Sequence, residues 1–356
     1  MLNGRGPVAI ALLSGGLDSM LAAKVVLEQG IRVIGVNFSG AYCPAPSSGK
    51  SAAQRAAEQL GIELVTLPID REFIGMVKHP RHGWGKNMNP CIDCHTLMIR
   101  KAWEWGRGEV RSQKPEVRIQ KSGAEPEIGA LERSEPRADF IITGEVLGQR
   151  PMSQNRQALV RVAKESGTEG RLVRPLSARL LDETEPEKEG LVERGRLLDI
   201  QGRSRKRQFG LAAQYGLREF PTPAGGCLLT DRIFSARLRE AFEHGEDSVE
   251  TVELLRFGRH FRLPSGARVV VGRDKDENRE LLSRAPKDSG VIDGTAIPGP
   301  LCLLIPGRSD DLKAAAAICA RYSDKRAEKQ VKLKVKGTEI EVAPAPADEV
   351  AAWRIG

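Results

Sequence analysis

The sequence predicts a parallel α/β sheet with helices on both faces, joined to a smaller α+β domain. Two observations carry that expectation. Short apolar runs alternate with helical patterns over the first seventy or so residues, and after Asp231 the pattern changes to mixed strands and helices. At 356 residues the chain is long enough for two separate cores.

Val8–Leu13 is an apolar run ending at serine and glycine, read as a buried strand. Asp18–Gln29 follows with apolar residues at helical spacing, and Gly30 stands just beyond it as a stop. Ile31–Phe38 is a second strand, Ser51–Leu60 a helix closed by Gly61, and Ile62–Leu67 a third strand. Ala138–Thr143 reads as a later strand of the same sheet. Gly106–Arg137 is rich in charge, glycine and proline without a sustained period, and is expected to be a disordered or mobile insertion. Asp182–Arg207, with Arg203-Ser-Arg-Lys-Arg207 at its end, reads as a solvated loop. Beyond Asp231 come two helices, the strand Ala267–Gly272, a helix, the strand Pro300–Ile305 and the helix Asp310–Arg321. Val331–Val342 alternates polar and apolar residues, as one or two exposed strands do. A boundary near residue 235 separates domains 1–235 and 236–356, and no internal repeat is present.

Composition narrows the class of protein. Apolar residues make up 40%, yet no run approaches the ~20 needed to cross a membrane. The N-terminus lacks the basic, apolar and small-residue order of a signal peptide, so a cytoplasmic protein is expected. In that reducing setting the six cysteines are read as buried, metal-bound or reactive rather than as a disulfide framework. Lysine and arginine exceed the acids by 55 to 47, a net charge of +8, which suits a polyanionic partner such as RNA. The oligomeric state leaves no signal.

Ser14-Gly-Gly-Leu-Asp-Ser19 sits between the first strand and the first helix. Gly15 and Gly16 let the backbone turn sharply and approach a ligand, while free N–H groups at the helix start make an anion cradle. Ser14 and Ser19 add hydroxyl donors around Leu17. Asp18 is the informative residue, because a carboxylate beside a phosphate repels it unless a cation such as Mg²⁺ sits between them. The plainer alternative is a strand–turn–helix junction with Asp and Ser as caps. A rival loop, Ser48-Gly-Lys-Ser51, lacks the first glycine of a Walker A motif, since Pro44 occupies that place.

The Ser14–Ser19 segment resembles the signature of the PP-loop ATP pyrophosphatases. That resemblance implies a doubly wound, adenine nucleotide α-hydrolase-like fold in which the loop holds the pyrophosphate end of ATP. Ile142-Thr-Gly-Glu-Val-Leu-Gly-Gln149, Met152-Ser-Gln154 and Leu172-Val-Arg-Pro-Leu176 are similar to segments of the tRNA 4-thiouridine synthetases, a likeness spanning roughly residues 6–230. It implies that Asn37 and Phe38 lie against adenine and that Gly144 and Gln154 lie near the nucleotide. His95 stands where that family carries Lys or Arg. Those synthetases have an RNA-binding region before the loop, so here the RNA-holding part is expected elsewhere in the chain or is absent. Val271-Gly-Arg-Asp-Lys-Asp-Glu-Asn278 and Pro298-Gly-Pro300 resemble the NFACT-type RNA-binding module, with a structural or dimerising domain as the alternative.

Cys91-Ile-Asp-Cys94 opens a helical run, and Cys227 follows two glycines. Thiolates so spaced on a turn can grip one metal centre. Zinc held by Cys91, Cys94, His95 and His79 or His82 is one reading. Cys91–His95 also spells a c-type haem attachment, which belongs to exported proteins. In the thiolating branches of the resembled family, a Cys-x-x-Cys and a later lone cysteine meet beside the nucleotide. That implies either a [4Fe–4S] cluster on Cys91, Cys94 and Cys227, or a persulfide on Cys227 resolved by Cys91 or Cys94. Cys302 and Cys319 read as buried core, and Cys43 as a loop residue.

The expected activity is ATP-dependent tRNA thiolation: adenylation of a uridine carbonyl, then attack by sulfur from sulfide or a persulfide carrier. Asp18, Cys91, Cys94 and Cys227 carry the chemistry, and Arg203, Arg205, Lys206 and Arg207 either hold tRNA phosphates or form a solvated run. Two other readings stay open: a PP-loop enzyme adenylating a small molecule, and a non-catalytic RNA-binding protein with structural zinc.

Overall fold

A computed structural model describes residues 6–42, 49–109, 138–221, 227–294, 299–335 and 337–356. The chain divides into two compact units, residues 1–227 and 228–356. The position near 235 lies inside a helix, Arg232–Glu243.

In the first unit β1 (Val8–Leu12), α1 (Leu17–Leu27), β2 (Arg32–Ser39), α2 (Ala52–Leu60) and β3 (Glu63–Pro68) follow the alternation read from the sequence. Next come α3 (Asp70–Lys78), α4 (Cys91–Gly106), β4 (Phe140–Ile142), α5 (Arg156–Glu165), β5 (Leu172–Val173), α6 (Glu185–Lys188) and α7 (Lys206–Gln214). The five strands are all parallel, in the order β3-β2-β1-β4-β5. The chain runs outward from β1 through β2 to β3, then crosses to β4 and β5. The order therefore reverses beside β1, and the crevice between the carboxyl ends of β1 and β4 is the place where such sheets bind ligands.

Local chemistry explains the element ends. Ser51 caps α2 by accepting the Gln54 N–H, while the Gln54 side chain accepts the Ser51 N–H, and Gly61 ends the helix at φ 67°. α1 differs from an ordinary surface helix: Leu17, Met20, Leu21, Ala22, Ala23, Val25 and Val26 are all buried, because α1 packs on β1, β2, α2 and α7.

The Asp182–Arg207 stretch is not merely the solvated loop expected. Val192, Leu197 and Ile200 enter the core of this unit, and buried Glu187 accepts from Thr184 N at 2.8 Å and Arg194 Nη1 at 2.5 Å. Its charges solvate one side while its apolar residues fill the other. Of the expected insertion, α4 runs through Gly106, and residues 110–137 lie outside the described residues. Cys43 and Pro298 do as well.

The second unit contains α8 (Arg232–Glu243), α9 (Val249–Leu254), β6 (Arg259–Arg262), β7 (Arg268–Val271), α10 (Lys275–Ser283), β8 (Gly290–Asp293) and β9 (Leu301–Ile305). α11 (Leu312–Arg321), β10 (Val331–Val335), β11 (Thr338–Val342), α12 (Ala347–Trp353) and β12 (Arg354–Ile355) complete it. The seven strands form an antiparallel sheet in the order β11-β10-β8-β9-β7-β6-β12. Alternate residues serve opposite faces: Val269, Val271, Cys302 and Leu304 pack with α11, while Val270, Leu301 and Leu303 pack with Leu254 and Leu281 of α9 and α10. Cys302 and Cys319 are fully buried, as core residues. Val331–Val342 forms a hairpin with one buried face, set by Val331, Leu333 and Val335.

Candidate active site at the carboxyl ends of the parallel strands

The turn after β1 delivers Ser14–Ser19 into the crevice. Gly15 takes φ +80°, and a side chain there would come within 2.3 Å of the Ala52 backbone, so the loop passes too close to α2 for any other residue. Gly16 caps α1 in an extended conformation. Ser19 Oγ donates to the Gly16 carbonyl at 2.8 Å and lies 3.3 Å from Ser14 Oγ. Serine hydroxyls and the helix start thus face one spot, the arrangement an anion needs.

The other wall comes from the end of β4. Gly144 presses against the start of α1: a Cβ there would sit 2.5 Å from Ser19 N and 2.6 Å from Asp18 C. Only glycine allows the two strand ends to meet this closely. Gln154 is buried, its N–H donating to the Arg150 carbonyl at 2.8 Å, and its Oε1 has no partner among the described residues. Asn37 and Phe38 stand at the carboxyl end of β2, opposite Thr66 and Leu67 of β3, with Phe38 buried.

Asp18 does not wait for a metal to balance its charge. Its Oδ2 accepts from Arg205 Nη2 at 2.7 Å and from Gln149 Nε2 at 2.8 Å. Gln149 Oε1 in turn accepts from Gln208 Nε2 of α7 at 3.1 Å. Arg205, read as a tRNA-phosphate contact or part of a solvated run, thus reaches the phosphate loop from the N-cap position of α7. Arg207 pairs with Asp199 at 2.7 Å on the surface. Asp18 Oδ1 is buried without a partner among the described residues, a donor-free lone pair of the kind that suits Mg²⁺.

A second charged knot lies beside it. Glu145 accepts from His95 Nδ1 at 2.8 Å, Thr143 Oγ1 at 3.0 Å and Arg174 Nε at 2.9 Å. Burial opposes the Glu145 charge, but Arg174 and His95 outweigh it and hold the carboxyl down at about 2. His95 therefore has a fixed partner on Nδ1, and its ring stays about one-fifth exposed. The three residues come from separate segments, Cys91–His95, Ile142–Gln149 and Leu172–Leu176, which no local sequence signal joins.

Cys91 and Cys94 lie one turn apart at the start of α4. Asp93 fixes that turn by accepting the Arg81 and His82 backbone N–H groups at 3.0 and 3.1 Å. Cys227 is exposed at the end of the first unit. Among the described residues, no three His, Cys, Asp or Glu side chains are grouped to hold a metal. The described residues thus lend no support to the expected cluster on Cys91, Cys94 and Cys227. Of the histidines in the zinc alternative, His82 bonds Glu165 through Nε2 at 2.9 Å and His95 bonds Glu145 through Nδ1, a pairing that metal-ligating histidines also make. No helix of the described residues is long and apolar enough to cross a membrane.

Known proteins resemble the chain in parts. Residues 8–103 match the tRNA methyl transferase HUP domain, and residues 258–354 match the NFACT protein RNA binding domain. The 7-cyano-7-deazaguanine synthase of Novosphingobium aromaticivorans is 44% identical over 113 residues, 29% of this chain and 48% of that protein. The tRNA-specific 2-thiouridylase MnmA of Deinococcus radiodurans is 27% identical over 154 residues, 38% of this chain and 40% of that one. The chain thus spans less than half the length of each. A 4-thiouridine synthetase–RNA complex with bound ATP aligns with 54% of this chain and 42% of its own at 20% identity and TM-score 0.32. The C-terminal part of a fibronectin/fibrinogen-binding protein from Streptococcus suis aligns with 42% of this chain and 72% of its own, at 14% identity and TM-score 0.26. The chain joins a segment of the PP-loop HUP type, residues 8–103, to one of the NFACT RNA-binding type, residues 258–354.

Proposed function

We propose that the protein is an AMP-forming enzyme that thiolates a uridine of tRNA. The observation that carries this reading is the meeting of the glycine-lined Ser14–Ser19 loop with Gly144 at the strand-order reversal. The partial likeness to tRNA thiouridylases and to an RNA-binding domain supports tRNA as the substrate.

In this reading Ser14, the Gly15–Gly16 turn, Leu17 and Ser19 hold the pyrophosphate half of ATP, and Asn37 and Phe38 flank the adenine. Asp18 Oδ1 would hold Mg²⁺, which would neutralise charge on the phosphates. A uridine carbonyl oxygen attacks the α-phosphorus; the new P–O bond forms as the α–β bridge breaks and pyrophosphate leaves. Sulfur then bonds to the activated carbon and AMP departs with the original oxygen.

In the route written here, the persulfide alternative, Cys227 carries a persulfide charged by an external carrier. Its outer sulfur attacks the carbon, and a thiolate at Cys91 or Cys94 then attacks the Cys227 sulfur. The base keeps the outer sulfur and the protein is left with a disulfide, which a thiol reductant reopens.

The test is incubation of the full chain with ATP, Mg²⁺, sulfide or persulfide and tRNA, followed by nucleotide and nucleoside analysis. AMP and pyrophosphate in equal amounts, dependent on tRNA, with a thiouridine in the digest, are expected. Formation of ADP, or no cleavage with any tRNA, would refute it. The 44% identity to a 7-cyano-7-deazaguanine synthase favours one rival, adenylation of a small molecule. That rival predicts AMP release with a small carboxylate or amide and no need for tRNA.

A further inference from the structure

We propose that Arg205 is a phosphate-binding side chain of the ATP site, contacting the pyrophosphate half directly. The inference rests on the ATP-binding reading above and adds a residue outside the loop itself. Arg205 arrives from a segment 187 positions away in sequence and ends at the phosphate loop, with Nη2 on Asp18 Oδ2 at 2.7 Å. That contact uses one of five N–H donors. Its Nε is buried and has no partner among the described residues. A buried guanidinium N–H without an acceptor is costly, so an acceptor belongs beside it.

Two further features hold Arg205 there. Its backbone stands at the N-cap position of α7, a helix that packs on α1. The fully buried Gln208, one turn later, reaches the same carboxylate through Gln149, so α7 is tied to Asp18 by two struts. Arg205 is therefore pre-positioned rather than swept in from solvent, and its side chain is only 20% exposed. Asp18 alone would repel a polyphosphate. The Asp18–Arg205 pair is neutral, with a guanidinium edge left to donate in the planar, two-pronged way phosphate oxygens accept.

The test compares binding of pyrophosphate, ATP and AMP to the full chain by calorimetry, without Mg²⁺ and with it. Arg205→Gln is expected to weaken pyrophosphate and ATP about 10- to 100-fold, the usual scale for a charge-assisted hydrogen bond. AMP affinity should hold within about 2-fold, and Arg205→Lys should recover part of the loss. Equal binding of all three ligands by Arg205→Gln and wild type overturns the proposal. So does an equal loss of all three, which would make the residue structural. The Asp18→Asn/Arg205→Gln double variant, measured without Mg²⁺, separates donation from charge balance. Recovery of wild-type pyrophosphate affinity there would mean that Arg205 only neutralises Asp18, and the proposal fails. Wild-type protein that binds neither ATP nor pyrophosphate defeats the ATP-site reading itself, a distinct result.

Discussion

Replacing Glu145 by glutamine tests the charged knot beside the phosphate loop. The substitution keeps the shape and removes the charge that Arg174 and His95 face at 2.9 and 2.8 Å. The Glu145 carboxyl is held at about 2 against an ordinary 4.5. At about 1.4 kcal/mol per unit, ionisation contributes about 3 kcal/mol to the first unit at neutral pH. Glu145→Gln should therefore cost about 3 kcal/mol at pH 7, in line with breaking a buried ion pair. The folded-state value lies below the unfolded one, so this stabilisation is present above about pH 4.5 and is lost as pH falls towards 2. The gap between wild type and variant should shrink to less than half by about pH 3. Urea unfolding followed by tryptophan fluorescence suits the measurement, because Trp84, Trp103 and Trp105 lie in the first unit and Trp353 alone in the second. A gap below about 1 kcal/mol at pH 7, or one unchanged at pH 3, would refute the assignment of an ionised, paired Glu145.

Gly144→Ala puts a methyl 2.5 Å from Ser19 N and should abolish ATP binding while the second unit stays folded, read by calorimetry and by far-UV circular dichroism. Cys227→Ser should stop thiouridine formation yet leave tRNA-dependent pyrophosphate release within about 3-fold, because adenylation precedes sulfur transfer. Leu303→Ala, at a fully buried site of the second sheet, should lower the stability of that unit by about 2–5 kcal/mol with no change in pyrophosphate affinity, measured by urea unfolding and calorimetry.

The sequence carried the parallel sheet and the phosphate loop because both are local signals. β1, α1, β2, α2 and β3 begin and end within two residues of their expected positions, fixed by apolar runs and by the glycines that stop them. β5 escaped because two residues, Leu172 and Val173, are too few to show a period. α7 escaped because Lys206 and Arg207 made its start look like part of a solvated run. The same basic run hid Arg205, whose partner Asp18 is far away in sequence. One clue was available: Asp18 beside a phosphate cradle demands a cation, and the chain could supply its own. The likeness to thiolating enzymes suggested three cysteines around one metal, yet sequence spacing cannot say whether Cys227 comes near Cys91 and Cys94.

The helix behind the phosphate loop is enclosed on nearly every side by its own unit. A surface loop would answer a bound nucleotide by stiffening locally. Here the cradle is the tip of the innermost strut, so gripping a ligand braces the surrounding layers too. Slower amide hydrogen exchange should then spread from Ser14 along α1 into β1, β2 and α7, turning occupancy of one bend into resistance of the whole layer to melting.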